Sequence, residues 1–157
     1  MSNKKETAMA LFNRGYSCSQ AVLGAFCEEL NLDKETAFKL ASSFGGGMAR
    51  LREVCGTVSG MFMAAGLKYG FSNPKDASAK AEHYRRMQEL AAAFRTENGS
   101  IVCRELLGLP AGPDAPQPAP RTPQYYKKRP CAELVGCAAE ILEKYINEHP
   151  VKTDIPA

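Results

Sequence analysis

Apolar residues along this chain recur three or four positions apart, and no stretch of six residues alternates between apolar and polar. Such spacing places apolar side chains on one face of a helix, whereas a half-buried strand needs strict alternation. Helices are predicted for residues 4–14, 17–30, 34–43, 55–69, 74–97, 100–107 and 130–147, of which the first and the sixth are short. We therefore predict an all-α fold, a compact single-domain bundle of about five to six helices.

Residues that begin or interrupt helices support these boundaries. Ser17 and Gln20 fit a capping box at the start of a helix. Three consecutive glycines, at 45–47, predict a tight turn that brings Cys55 close to a neighbouring segment. Residues 109–123 contain six prolines and predict a loop before the last helix, of a length typical of loops that function or cover something. We expect residues 1–150 to form the helical domain and residues 151–157 a loose tail.

Composition and charge narrow the range of functions. A hydrophobic fraction of 45% and a charged fraction of 24% are typical of a globular protein. The net charge of +3 is small and aromatic residues do not interleave with basic ones, so we expect no nucleic-acid partner. The longest uncharged run, residues 54–67, is 14 residues long, short of the roughly 18 that suggest a membrane span. With no secretory signal recognisable, a cytoplasmic location is expected.

The uncharged run also predicts where the core lies. The helix at 55–69 carries no charge before Lys68, so it is expected to be the central, buried helix. Its apolar surface is covered either inside one subunit or across a homodimer.

Six cysteines, none of them in a Cys-x-x-Cys pair, are the main candidates for chemistry. Four begin predicted helices, where unpaired N–H groups and a partial positive charge favour a thiolate. The other two lie inside helices, turned away from the cysteine that begins the same helix, and are expected to fill space in the core. The four at helix starts are Cys18, Cys55, Cys103 and Cys131, and the two inside helices are Cys27 and Cys137.

Several uses of four such sulfurs remain open at this point. A reducing cytoplasm disfavours structural disulfides and favours metal binding or redox exchange. Four thiolates bind zinc or an iron–sulfur cluster, and ligands from separate helix starts suit a preformed pocket. Alternatively, two of them form a reactive pair that alternates between dithiol and disulfide, with Cys55 as the nucleophile and Cys18 as a second catalytic residue.

The same cysteines carry a resemblance to a known family. The chain resembles the redox-active proteins named for the pattern C-GCAxxG-C-C, from about residue 12 to residue 142. The matching pieces are Gly15–Val22, Phe44–Met48, Cys55–Gly60, Cys103–Gly108, and Cys131 with Leu134 and Val135. Family members carry an alanine where this chain has Thr57, whose hydroxyl points either to a sulfur or back into its own helix.

The resemblance implies a small helical redox or cluster-binding protein whose defining cysteines are Cys18, Cys55, Cys103 and Cys131. We expect these four to hold a metal or iron–sulfur centre for electron transfer or redox sensing, served by a redox partner protein that the sequence does not identify. The alternatives are a thiol–disulfide oxidoreductase and a non-catalytic helical module with structural zinc or no cofactor. Whether the protein is an enzyme, an oxidoreductase, is left undecided.

Overall fold

Helices follow one another along nearly the whole described chain, residues 3–151 of a computed structural model. In order they are α1 (Lys4–Asn13), α2 (Cys18–Ala25), α3 (Lys34–Ala41), α4 (Gly45–Met48), α5 (Gly56–Tyr69), α6 (Ala77–Asn98), α7 (Cys103–Leu107), α8 (Pro123–Lys128) and α9 (Cys131–Glu148). A 3₁₀ turn, Ser42–Phe44, joins α3 to α4, a single turn in which Gly46 and Gly47 depart from right-handed helical geometry. The all-α prediction is confirmed, since no strand forms within residues 3–151. Residues 152–157, most of the predicted tail, lie outside the described residues.

Helix α5 lies at the centre of the bundle, packed against α2, α6 and α9. The side chains of Val58, Met61, Ala64 and Ala65 are fully buried, in agreement with the uncharged sequence of this helix. Gly60 lets α2 approach closely, because a Cβ at this position would lie 2.7 Å from the carbonyl oxygen of Ser19. On the other side of the bundle α1 packs along α9. None of the helices described here is both long and apolar enough to cross a bilayer.

Helix boundaries differ from the predicted ones at several places, including the sixth predicted helix, which begins at Cys103 and not at residue 100. The helix predicted for residues 17–30 ends at Ala25 and gives way to turns, with Asn31 in the left-handed region at φ 53°. The helix predicted from residue 74 begins at Ala77, because the Asp76 side chain caps it by accepting from the Ala79 N–H. Helix α8 was not predicted, although the Thr122 side chain caps it and Pro123 occupies its first turn.

The glycine triplet opens a left-handed turn that extends beyond the glycines. Five consecutive residues, 46–50, have φ between 55° and 71°. Left-handed geometry costs a residue with a Cβ about 1–2 kcal/mol, and Met48, Ala49 and Arg50 all adopt it. Backbone bonds that run back into the turn hold it, including Arg52 N–H to the Gly46 oxygen at 3.2 Å. Such strained segments cluster at functional sites.

An isolated antiparallel bridge aligns the start of α5 with the start of α7. Val54 pairs with Val102, and the neighbouring cysteines complete the pairing through their backbones. Cys55 N–H donates to the Ile101 oxygen at 2.7 Å, and Cys103 N–H donates to the Glu53 oxygen at 2.6 Å. Two cysteines that are far apart in sequence therefore lie on adjacent segments.

Candidate functional site: the four-cysteine cavity

Four of the six cysteines line one cavity of about 340 Å³. They are Cys18, the first residue of α2, Cys55, the N-cap of α5, Cys103, the first residue of α7, and Cys131, the first residue of α9. All four are free thiols. Cys27 and Cys137 do not line this cavity. The structure thus brings together the four cysteines at helix starts and leaves the two interior ones outside.

At two positions, a glycine makes room for a cysteine side chain because it has no Cβ. The Sγ of Cys18 lies directly against the α-carbon of Gly56, where a Cβ would collide with the sulfur and would also lie 2.8 Å from the Phe44 oxygen. A Cβ at Gly47 would lie 2.6 Å from the Cβ of Cys103. The left-handed turn therefore packs against Cys103, and the start of α5 packs against Cys18.

Hydrogen-bond donors surround the sulfurs. The backbone groups of Gly46 and Ser19 act on the sulfur of Cys18 to lower its pKa, against the rise that burial causes. Arg52 Nη1 donates to Cys103 Sγ at 3.5 Å, and the side chain of Arg52 is only 4% exposed. Donors aimed at sulfur stabilise a negative charge on it, whether the sulfur is a thiolate or a metal ligand.

Burial nevertheless raises the pKa of three of the four thiols. Loss of water is the first cause in each case, and the proximity of another cysteine adds to it. The pKa of Cys55 rises to about 12 and that of Cys131 to about 11, and the pKa of Cys18 rises as well. The expectation that helix starts favour thiolates is therefore wrong for these three residues, because desolvation outweighs the N–H groups. At neutral pH they are protonated thiols.

Four arginines line the same cavity. Arg52 also donates from Nε to Asp114 Oδ2 at 2.8 Å, which holds the pKa of that carboxyl below its usual range. Arg121 donates to the backbone oxygens of Phe12 and Tyr16 at 3.1 and 3.2 Å. Among residues 3–151, no acidic side chain lines the cavity. The lining arginines are Arg50, Arg52, Arg121 and Arg129. The cavity thus combines apolar surface with positive charge.

The proline-rich loop forms the outer wall of the cavity. Pro116, Pro118 and Ala119 line it. Arg50 Nε donates to the Ala115 oxygen at 2.6 Å, which fastens the loop to the left-handed turn. The loop therefore covers a cavity, one of the two roles that its length suggested.

The side chains do not form a ready site for a single metal ion. Within residues 3–151, no group of three or more His, Cys, Asp or Glu side chains is arranged to hold one ion. The two histidines, His83 in α6 and His149 after α9, do not line the cavity. A group bound by the four sulfurs would have to be larger than one ion or would have to draw the sulfurs together.

A family comparison identifies the chain. A sequence model of the family described as "Putative redox-active protein (C_GCAxxG_C_C)" matches residues 16–145. The chain belongs to the C_GCAxxG_C_C family. No curated protein and no solved structure matches it. The family description assigns a redox role in general terms and names no metal, cluster or partner.

In this member of the C_GCAxxG_C_C family, Thr57 stands at the position of the alanine. Its side chain is fully buried, and Oγ1 lies 3.1 Å from Cys55 Sγ in a hydrogen bond between the two groups. The hydroxyl is thus directed to the sulfur, one of the two orientations that the sequence left open.

Three residues around the cavity had no signal in the sequence. Asp114, Arg121 and Tyr125 lie in or just after the proline-rich segment, which predicts only a loop. Their positions in this C_GCAxxG_C_C protein follow from contacts with residues far away in the chain, such as Arg121 with Phe12. A motif of neighbouring residues cannot reveal such contacts.

Proposed function

We propose that Cys18, Cys55, Cys103 and Cys131 hold an iron–sulfur cluster and that the protein transfers single electrons. The observation that carries this proposal is the lining of one 340 Å³ cavity by four free cysteines from four helix starts. A set of four cysteines is the usual ligand set of [2Fe–2S] and [4Fe–4S] clusters. When bound, such a cluster supplies reversible one-electron chemistry.

The size of the arrangement favours a cluster over a single zinc ion. Tetrahedral zinc with bonds of about 2.3 Å requires its sulfurs to lie about 3.8 Å apart. The described side chains form no such grouping. A cluster contains several metal atoms and inorganic sulfides, so its cysteine ligands stand further apart.

The surroundings of the sulfurs also suit an anionic cluster. Four thiolates and the inorganic sulfides together carry more negative charge than the iron of a cluster neutralises, and hydrogen bonds and nearby cations tune the reduction potential. The N–H groups at Cys18, the guanidinium at Cys103 and the hydroxyl at Cys55 are such donors. The four lining arginines offset the charge.

The raised thiol pKa values weigh against the thiol–disulfide alternative. A disulfide-exchange enzyme needs an attacking thiolate, and buried thiols of high pKa are inert. Cys55, which the sequence favours as the nucleophile, is 6% exposed and has a pKa of about 12. Metal coordination instead deprotonates a thiol by supplying positive charge directly.

Metal analysis of anaerobically purified protein tests the proposal. We expect iron and acid-labile sulfide in similar amounts, visible absorption, and bleaching of that absorption by dithionite. Single Ala substitutions at Cys18, Cys55, Cys103 or Cys131 should lower the iron content, whereas Cys27→Ala and Cys137→Ala should retain it. A chelator that removes the iron should also lower the melting temperature.

Two results would contradict the proposal. One is wild-type protein that contains no iron or sulfide after anaerobic purification and remains empty after chemical reconstitution. The other is a pair of cysteines that react with iodoacetamide much faster than the rest and form a disulfide on oxidation, which would support the oxidoreductase alternative.

A further inference from the structure

On one side of the cavity, a single layer of the chain separates the cavity from the solvent. Pro116 and Pro118 line the cavity and are also exposed to solvent. Because electron transfer weakens steeply with distance, a partner protein that docks on this wall is better placed to exchange electrons with the cavity than one on the far side of the bundle.

The same wall carries the net positive charge of the protein. Residues 115–132 contain no aspartate or glutamate. Four basic residues lie within residues 121–129, out of 20 in the chain, which leaves 16 basic residues against 17 acidic ones elsewhere. They are Arg121, Lys127, Lys128 and Arg129. The rest of the chain is therefore close to neutral.

Two of the basic residues of this wall are exposed lysines. Lys127 and Lys128 end α8, are exposed, and have no ion-pair partner among residues 3–151. By contrast, Lys4 pairs with Glu29 at 3.2 Å and Lys39 pairs with Glu35 at 3.3 Å. The positive charge at the end of α8 is thus available to a partner.

Arg129 connects the exposed lysines to the cavity. It follows Lys128 directly, and its guanidinium both lines the cavity and lies 5.5 Å from the ring centre of Tyr125. The basic surface therefore continues from the solvent to the wall of the cavity, where Asp114 is close enough to interact with the charge of Arg129.

We propose that residues 115–132, the basic wall, form the docking surface for an acidic one-electron carrier protein. This inference rests on the proposed electron-transfer function. Cys18, Cys55, Cys103 and Cys131 would hold the centre that accepts one electron, so that the carrier would be oxidised by one unit as this protein is reduced by one. Opposite charge on the two surfaces speeds their encounter and fixes their orientation.

The surface suits a folded acidic protein better than nucleic acid or a membrane. Tyr125 lies beneath Arg121 and Arg129, and Tyr126 packs edge-on against Phe12 at 6.1 Å, so neither ring is free to stack on bases. Helix α8 has six residues, and none of the large exposed hydrophobic side chains lies on it. An amphipathic membrane anchor would need such side chains.

Binding to a small acidic ferredoxin tests the docking surface directly. The dissociation constant is measured at about 10 mM salt, where charges are weakly screened, and at about 150 mM salt, where they are strongly screened. We expect the double variant Lys127→Gln/Lys128→Gln to bind roughly tenfold more weakly at low salt. The matched control, Lys75→Gln/Lys144→Gln, loses the same charge from exposed positions outside α8 and should change the constant less than about twofold.

Each outcome decides the proposal. It is supported if the wild type binds the ferredoxin, if binding weakens with salt, and if only the α8 variant loses affinity. It is overturned if both variants bind like the wild type, if the wild type does not bind the ferredoxin, or if it binds a basic cytochrome c equally well. The proposal is also overturned if Lys127→Gln/Lys128→Gln weakens binding to single-stranded DNA or to vesicles with anionic lipid and leaves binding to the ferredoxin unchanged.

This experiment distinguishes a failure of the electron-transfer proposal from a failure of the docking-surface proposal. Binding to the ferredoxin requires no iron in this protein, and the iron content is measured on the same samples. Protein without iron that still binds through Lys127 and Lys128 would contradict the electron-transfer function and leave a docking surface for an acidic protein. Protein with iron that does not bind would contradict the docking surface alone.

Discussion

The sulfur of Cys18 lies against the α-carbon of Gly56, the residue that follows Cys55. A side chain at this position would displace the sulfur or separate α2 from α5. The glycine therefore holds one cysteine of the cavity beside the helix start that carries another.

Gly56→Ala tests this packing. The added methyl group should cost about 1–3 kcal/mol of unfolding free energy, as overpacking in a core does, and should displace Cys18. Urea denaturation measures the cost. Gly66→Ala is the control, since a Cβ there meets nothing within 4 Å in the same helix; it should stabilise the protein by about 0.5–1 kcal/mol. Equal effects of the two substitutions would exclude the packing role of Gly56.

Substitution of Thr57 tests whether its hydroxyl influences the reduction potential of the proposed cluster. Thr57→Val removes the hydroxyl that lies 3.1 Å from Cys55 Sγ and keeps the shape of the side chain. With one hydrogen bond fewer at a ligand sulfur, the reduced state loses stabilisation and the midpoint potential should shift to lower values. Thr57→Ser should keep the wild-type potential, as should Ser59→Ala on the same helix.

Spectroelectrochemical titration of the anaerobic protein measures that shift. If the valine and serine variants share the wild-type midpoint potential, the Thr57 hydroxyl has no influence on the centre. Absorption spectra recorded in the same titration reveal any loss of the centre itself.

Cys137 allows a test of pH dependence away from the cavity. Its Sγ donates to Glu97 Oε2 at 2.9 Å, and its pKa is raised to about 11, first by burial and then by that carboxylate. At pH 8 its thiolate fraction should be about a hundredfold smaller than that of a thiol with the ordinary value, so alkylation should be slow and should accelerate only towards pH 11.

Glu97→Gln removes the negative charge and should lower the pKa of Cys137 towards its usual value. At any pH below the wild-type pKa, more thiolate then forms and alkylation is faster. Mass spectrometry after timed iodoacetamide labelling gives the rate for Cys137 alone, and Glu143→Gln on α9 serves as the control. A rate that Glu97→Gln leaves unchanged would mean that the Glu97 carboxylate does not raise the pKa of Cys137.

Within the left-handed turn, substitution of alanine by glycine is expected to stabilise the protein. Ala49 has φ 55° and ψ 43°, so Ala49→Gly relieves backbone strain and should stabilise the protein by about 0.5–1 kcal/mol after the entropy of the unfolded chain is deducted. Ala92→Gly, at an exposed position in α6, should instead cost about 1 kcal/mol. Thermal and urea unfolding of both variants distinguish the two signs, and destabilisation by Ala49→Gly would show that the turn is not strained.

Local signals in the sequence account for the parts of the fold that were predicted well. The capping box forms as expected, with Ser17 accepting from Gln20 N–H and the Gln20 side chain accepting from Ser17 N–H. Asp33 likewise caps α3. These interactions join residues three positions apart, so the chain needs no tertiary contact to encode them.

The left-handed turn shows where local signals fail. The glycine triplet predicts a tight turn, but nothing in the residues at 48–50 favours positive φ, since each carries a side chain. Bonds that return from Arg52 and Glu53 to the glycine oxygens hold this geometry. The outcome depends on the surrounding packing.

The sequence by itself determined the helical architecture and the position of four cysteines at or near helix starts, because apolar periodicity and capping act within one or two turns. Only the tertiary structure decided that these cysteines share a cavity, that burial keeps three of them protonated, and that Arg52 reaches both Cys103 and Asp114. Those last contacts join residues 51 and 62 positions apart. Burial and such distant contacts belong to the folded chain as a whole, so no local pattern of residues encodes them.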